Sequence, residues 1–177
     1  MGLNRFKHFY MNIEQIEKKL ILLTENFSKE EFVFDLLLAY GTPKATITLL
    51  KRGLHNLSKQ DGTKILKRKL FFQEVYNADL HETIDSLQKN TITKRDNPRF
   101  VIVTDYTTLL AVDTKTNEHL DIPIKNIAKH YDFFLPLAGI EKHRHTIENP
   151  ADRKAAEKMA KLYDEILSEN SIVDTEK

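Results

Sequence analysis

Two carboxylates of this chain stand where metal-assisted chemistry could use them: Asp61, just before a strand-like run, and Glu74, near its end. Hard oxygen ligands of this kind can hold Mg²⁺, which then generates hydroxide and steadies a phosphodiester transition state. The plainer alternative is a turn aspartate and a strand-end glutamate that both face water. Between them lies a dense basic run, Lys64, Lys67, Arg68 and Lys69. On a strand, Lys67 and Lys69 share one face and Arg68 points the other way. Such a face can meet backbone phosphates, with binding that weakens steeply with salt. A charged edge strand that guards against aggregation has the same composition.

A third group is Gly41-Thr-Pro-Lys-Ala-Thr-Ile-Thr-Leu-Leu-Lys-Arg-Gly53. It can be read as the turn and second helix of a helix-turn-helix, with Thr42, Lys44, Ala45 and Thr46 facing a DNA groove. Helix pairs joined at a glycine also arise from plain packing. His143 and His145, with His130 upstream, have no third ligand at fixed spacing and read as a solvated loop. Asn149-Pro150 reads as a helix entry. No G-x-S-x-G and no G-K-[ST] string is present, which sets aside an α/β-hydrolase nucleophile and a P-loop.

The elements that must position these groups follow from periodicity. Ile13, Ile16, Leu20 and Leu23 predict a first helix over Asn12–Asn26. Ser28-Lys-Glu-Glu31 reads as a capping box for a largely apolar helix, Phe32–Tyr40, stopped by Gly41. Thr42 as N-cap and Pro43 at the first turn open a third helix, which Gly53 ends. Lys64–Val75 is one long strand or a strand pair, and Asp79 caps an amphipathic helix, Leu80–Gln88. Thr91–Asn97 reads as a loop. Arg99–Thr104 is a β-branched and aromatic run, hence a strand buried on both faces and ending at the Asp105 carboxylate. Leu109–Asp113 and His119–Ile124 flank the polar turn Thr114–Asn117 as a hairpin, and a helix follows from about Ile124 to Leu135. Glu141–Glu148 reads as a linker and Arg153–Leu167 as an amphipathic helix.

Strand, helix, strand across Val75, Leu80–Gln88 and Phe100–Val103 make a βαβ unit. The expected fold class is therefore α/β (α+β): a mixed, partly parallel sheet flanked by helices. A helical part (about 1–53), a sheet core (about 61–139) and a C-terminal helix (about 150–168) form one expected domain. The chain has 177 residues, 27 Lys+Arg against 26 Asp+Glu, and no Cys. That length suits one full core. The balanced charge means that any basic surface is local. The missing thiols exclude disulfides, zinc–thiolate sites and Cys nucleophiles, and fit a cytoplasmic protein. No apolar run reaches the roughly 18 residues of a membrane span, and no signal-peptide core is present.

Three strings, in this order, resemble a known family: Phe34-Asp-Leu-Leu-Leu-Ala-Tyr-Gly-Thr-Pro-Lys-Ala-Thr-Ile47, Pro98-Arg-Phe-Val-Ile-Val-Thr-Asp105, and Asp132-Phe-Phe-Leu-Pro-Leu-Ala-Gly139 followed by Asn149–Asp164. They are similar to the N-terminal region of MmeI-like (type IIL) restriction-modification enzymes and of the related type I subunits and DNA methyltransferases. The resemblance implies a restriction-endonuclease-like fold at the front of a larger bacterial protein. It further implies double-stranded DNA as partner and a downstream methyltransferase domain, through which alone S-adenosylmethionine would enter. Nucleases of that fold use an Asp and then a Glu-x-Lys. Here the strand end reads Gln73-Glu74-Val75-Tyr76, and either alignment lacks the lysine. If the domain is a Mg²⁺-dependent hydrolase, Asp61 and Glu74 hold the metal, and Lys67 or Lys69 replaces the missing cation. The alternative is a non-catalytic DNA-binding or interdomain adaptor module.

Overall fold

The computed structural model describes residues 12–141. The expected C-terminal helix, with His143, His145 and Asn149, lies outside them. Five strands form a single sheet in the order β1 (Thr63–Leu66), β2 (Leu70–Glu74), β3 (Phe100–Thr104), β4 (Thr108–Asp113) and β5 (Glu118–Pro123). Only β2 and β3 run parallel; the other neighbours are antiparallel. That is the partly parallel α/β sheet expected. The crossover from β2 to β3 carries α4 (Leu80–Lys89) and α5 (Thr91–Asp96). α5 occupies the stretch expected as a loop. Asp79 caps α4 as read, its Oδ1 accepting the Glu82 N–H at 2.9 Å.

Both faces of the sheet are covered, because apolar side chains alternate along strands that keep few polar ones. Phe100 and Ile102 of β3 pack with α1 (Ile13–Glu25), α2 (Phe32–Ala39) and α3 (Lys44–Lys51) on one side. Val101 and Val103 pack against Ile84 and Leu87 of α4 on the other. All five residues of β3 are buried, which is why its sequence carries no polar alternation. A 3₁₀ segment, Ile124–Ala138, kinked at His130, closes the larger core. It stands where an α-helix was expected. Tyr40 pins it, donating its hydroxyl to the Tyr131 carbonyl at 2.8 Å.

Two helix starts differ from the sequence reading. No side chain caps α2: Glu31 is the N-cap, and its carboxylate pairs instead with Lys51 at the end of α3. The N-cap of α3 is Pro43, one residue later than Thr42, again without a side-chain cap. Thr42 is buried and donates its N–H to Leu37 O at 2.9 Å, closing α2.

Candidate functional site

The Lys64–Val75 run folds as a hairpin, and this decides which candidates can meet. Turn residues 67–69 join β1 to β2, with Arg68 in the left-handed region at φ 62°. Asp61 and Glu74 lie at the opposite end of that hairpin, where Gly62 O accepts the Glu74 N–H at 2.9 Å. Lys69 is therefore five residues up β2 from Glu74, roughly 16 Å along the strand. The hairpin brings the two carboxylates to one end and holds Lys67 and Lys69 away from them.

At the carboxylate end, β2 and β3 finish side by side. Glu74 is held by two phenols: Tyr106 Oη donates to Oε1 at 2.5 Å and Tyr76 Oη to Oε2 at 2.9 Å. Tyr76 occupies the position where a Glu-x-Lys pattern starting at Glu74 would have its lysine. Tyr106 is buried and sits in the left-handed region at φ 69°. Its burial, and then its bond to Glu74, push its hydroxyl well above the usual tyrosine range. Asp105 caps the next turn, Oδ1 accepting the N–H groups of Thr107 and Thr108 at 2.7 Å each. Those N–H groups, Thr108 foremost, hold its carboxyl below the ordinary range against a desolvation that raises it.

The lysine that does approach this end is Lys29, from the connection between α1 and α2. Its Nζ lies 5.4 Å from the centre of the Tyr106 ring, and its charge helps keep Asp105 ionised. Nothing in the local sequence marks Lys29, because its proximity is created by packing of α2 on the sheet. As a set, these groups do not fit a Mg²⁺ cleavage site. Both Glu74 oxygens already accept hydroxyl protons, and among the described residues no three His, Asp or Glu side chains cluster to hold a metal. They fit a half-buried carboxylate held as a hydrogen-bonded clasp between strand ends.

The other end of the hairpin is different in kind. From Lys44 to Lys69 stand eight lysines and arginines and a single acid, Asp61, in a chain whose net charge is only +1. Lys67 and Lys69 line a cleft of about 560 Å³ with Pro43 and Thr46 of the α3 entry and with Leu54, His55, Leu57 and Leu66. The α3 entry and the basic turn, separate candidates in sequence, thus form one surface. Lys44 and Ala45 are exposed there, whereas Thr42 is buried and cannot face a groove. Arg68 does not line the cleft; its N–H is bound to Asp96 O at 3.0 Å, at the end of α5. Lys64 lies on β1, paired with Phe72.

The model of the MmeI N-terminal domain matches residues 11–169. The chain belongs to that family. It is also 39% identical over 165 residues to DNA methyltransferase A of Bacillus subtilis (strain 168), a match that covers 93% of this chain and 19% of that protein. This MmeI N-terminal domain thus spans about a fifth of the length of the curated relative it matches. No solved structure matches it. No helix among the described residues is long and apolar enough to cross a membrane.

Proposed function

We propose that this MmeI N-terminal domain is the DNA-contacting front region of a restriction-modification polypeptide, binding duplex DNA through its basic α3–hairpin face without cutting it. The observation that carries the reading is the concentration of charge: eight cations against one acid between Lys44 and Lys69. The remainder of the chain is net negative, so the field of the whole domain is polarised and orients a polyanion onto this face. Among the described residues Lys64, Lys67, Arg68 and Lys69 form no ion pair, which leaves their charge available to phosphates.

In this reading methyl transfer, with its S-adenosylmethionine, belongs to the rest of such a polypeptide, and the strand-end carboxylates have a structural role. The name of the Bacillus subtilis relative supports a methylating partner domain. The test is fluorescence anisotropy of a labelled duplex, read against salt. Affinity falling by a factor on the order of 10³ between 50 and 200 mM salt is the expected result for about six phosphate contacts. Salt-independent binding would remove the reading. A nuclease reading of the same sheet, with Asp61 and Glu74 on Mg²⁺ and Lys69 beside them, predicts nicking of supercoiled DNA that Asp61→Ala abolishes. The tyrosine-held Glu74 leads us to expect no nicking.

A further inference from the structure

The cleft between α3 and the β1–β2 turn mixes two chemistries. Its cations are Lys67 and Lys69, from the two ends of the turn, and the His55 imidazole lines it from the loop after α3. Apart from Thr46, the rest of its lining is apolar, with Pro43, Leu54, Leu57 and Leu66, and two of these leucines are strongly solvent-exposed, Leu54 at 69% and Leu57 at 49%. A plain electrostatic face needs no such leucines, and an internal core would not expose them. Among the described residues Lys69 has no acidic neighbour in ion-pair range. Lys67 helps hold the Asp96 carboxyl low, but that carboxylate is already bound by Arg95 through Nε and Nη2, at 2.9 and 3.0 Å.

Resting on the DNA-contact reading above, we infer that this cleft is a subsite for one phosphodiester and its attached deoxyribose. Lys67 and Lys69 grip the phosphate, Thr46 offers a hydroxyl beside it, and Leu54 and Leu57 pack on the sugar. The geometry separates residues that sequence treats alike. Arg68, turned away by its positive φ and tied by its N–H to the end of α5, adds charge to the surface but does not enter the subsite. The contacts are to backbone alone, so the subsite positions the duplex without reading its sequence. A free phosphate ion shares the charged half of this chemistry and lacks the sugar.

The experiment is anisotropy of a labelled 16-base-pair duplex with the full chain, over a range of NaCl concentrations. Four variants are compared, each checked by circular dichroism for an unchanged fold: Lys67→Ala/Lys69→Ala, Arg68→Ala, Leu54→Ser and Leu57→Ser. The double variant is expected to bind on the order of 100-fold more weakly, with a log–log salt slope smaller by about two. Arg68→Ala should change affinity threefold or less. The leucine variants should each lose about three- to tenfold at an unchanged salt slope, since they remove apolar contact and no charge. Equal losses for Arg68→Ala and the lysine variant would overturn the subsite while leaving DNA contact standing. Leucine variants that bind like wild type would overturn the sugar contact. Displacement of the duplex by inorganic phosphate at matched ionic strength would assign the cleft to a free anion instead. A wild-type chain that binds no duplex would overturn both this inference and the reading it rests on.

Discussion

Arg99 and Asp113 illustrate how far one buried pair can govern the behaviour of this domain. The guanidinium is 13% exposed and the carboxylate 4%, and two nitrogens meet two oxygens at 2.7 and 2.8 Å. Arg99 also holds Glu141, at 2.7 and 3.1 Å, where the described chain ends. Burial by itself would raise the Asp113 carboxyl. The Arg99 guanidinium and the N–H groups of Lys115 and Thr116 outweigh it and hold the carboxyl low. A depressed carboxyl contributes stability above its unfolded value, near pH 4, and loses it as pH falls through the folded one. Urea unfolding of the wild type should therefore show a midpoint that drops below about pH 4. In Asp113→Asn that acid limb should flatten, with a cost at neutral pH of about 3 kcal/mol, because Arg99 keeps only Glu141. A full acid limb in the variant would assign the pH dependence to other carboxylates. Tyr106→Phe tests the clasp on Glu74 at the same scale. It removes one charge-assisted hydrogen bond and should cost about 1.5–3 kcal/mol in the same assay, with no change in DNA affinity.

At the scale of elements, the edges of the sheet are managed by different devices. β5 is mostly exposed and carries Glu118, His119 and Asp121. β1 is covered: Leu57 N–H bonds Ile65 O at 3.1 Å, and the Asn56 side chain takes the Ile65 N–H at 2.8 Å while donating to Thr63 O at 3.0 Å. The loop after α3 thus behaves as a short substitute strand and hides the edge that hairpins otherwise offer to other chains. The helix entries can be told apart by substitution. Asp79 caps α4, so Asp79→Ala should lower stability by about 1 kcal/mol. Ser28 caps nothing at α2, so Ser28→Ala should stay within about 0.5 kcal/mol of wild type. Thermal unfolding of the two variants side by side checks both. A loss for Ser28→Ala equal to that of Asp79→Ala would restore the capping box.

Over the whole molecule, the hairpin acts as a spacer that keeps two chemistries apart. One end carries a carboxylate clasped by tyrosines, and the other carries Lys67 and Lys69 around a cleft, neither in an ion pair among the described residues. A two-layer packing would have left one sheet face wet; here helices cover both, so function is confined to strand ends, turns and helix entries. If the clasp is structural, Glu74→Gln leaves salt-dependent duplex binding within about twofold of wild type, while the Lys67→Ala/Lys69→Ala pair loses it. Filter binding of the two variants under the same salt distinguishes them. A loss for Glu74→Gln as large as that for the lysine pair would mean that the two ends work as one site.

The sequence by itself determined the elements whose signals are local: α1 from its apolar period, α4 from its Asp79 cap, β3 from an unbroken apolar run, and the β4–β5 hairpin from its polar turn. Together with the strings at Phe34, Pro98 and Asp132, these residues also carried the family. Only the tertiary structure decided where Asp61, Glu74 and Lys69 stand relative to one another, because a turn at 67–69 reverses the chain and sequence spacing then ceases to measure distance. The same reversal brings Lys67 and Lys69 to Thr46, across more than 20 residues of chain. Tyr76 stands only two residues from Glu74, but Tyr106 on Glu74 and Lys29 over Tyr106 were equally out of reach of local reading. Their positions follow from how β2, β3 and α2 pack, and packing depends on contacts between residues distant in sequence.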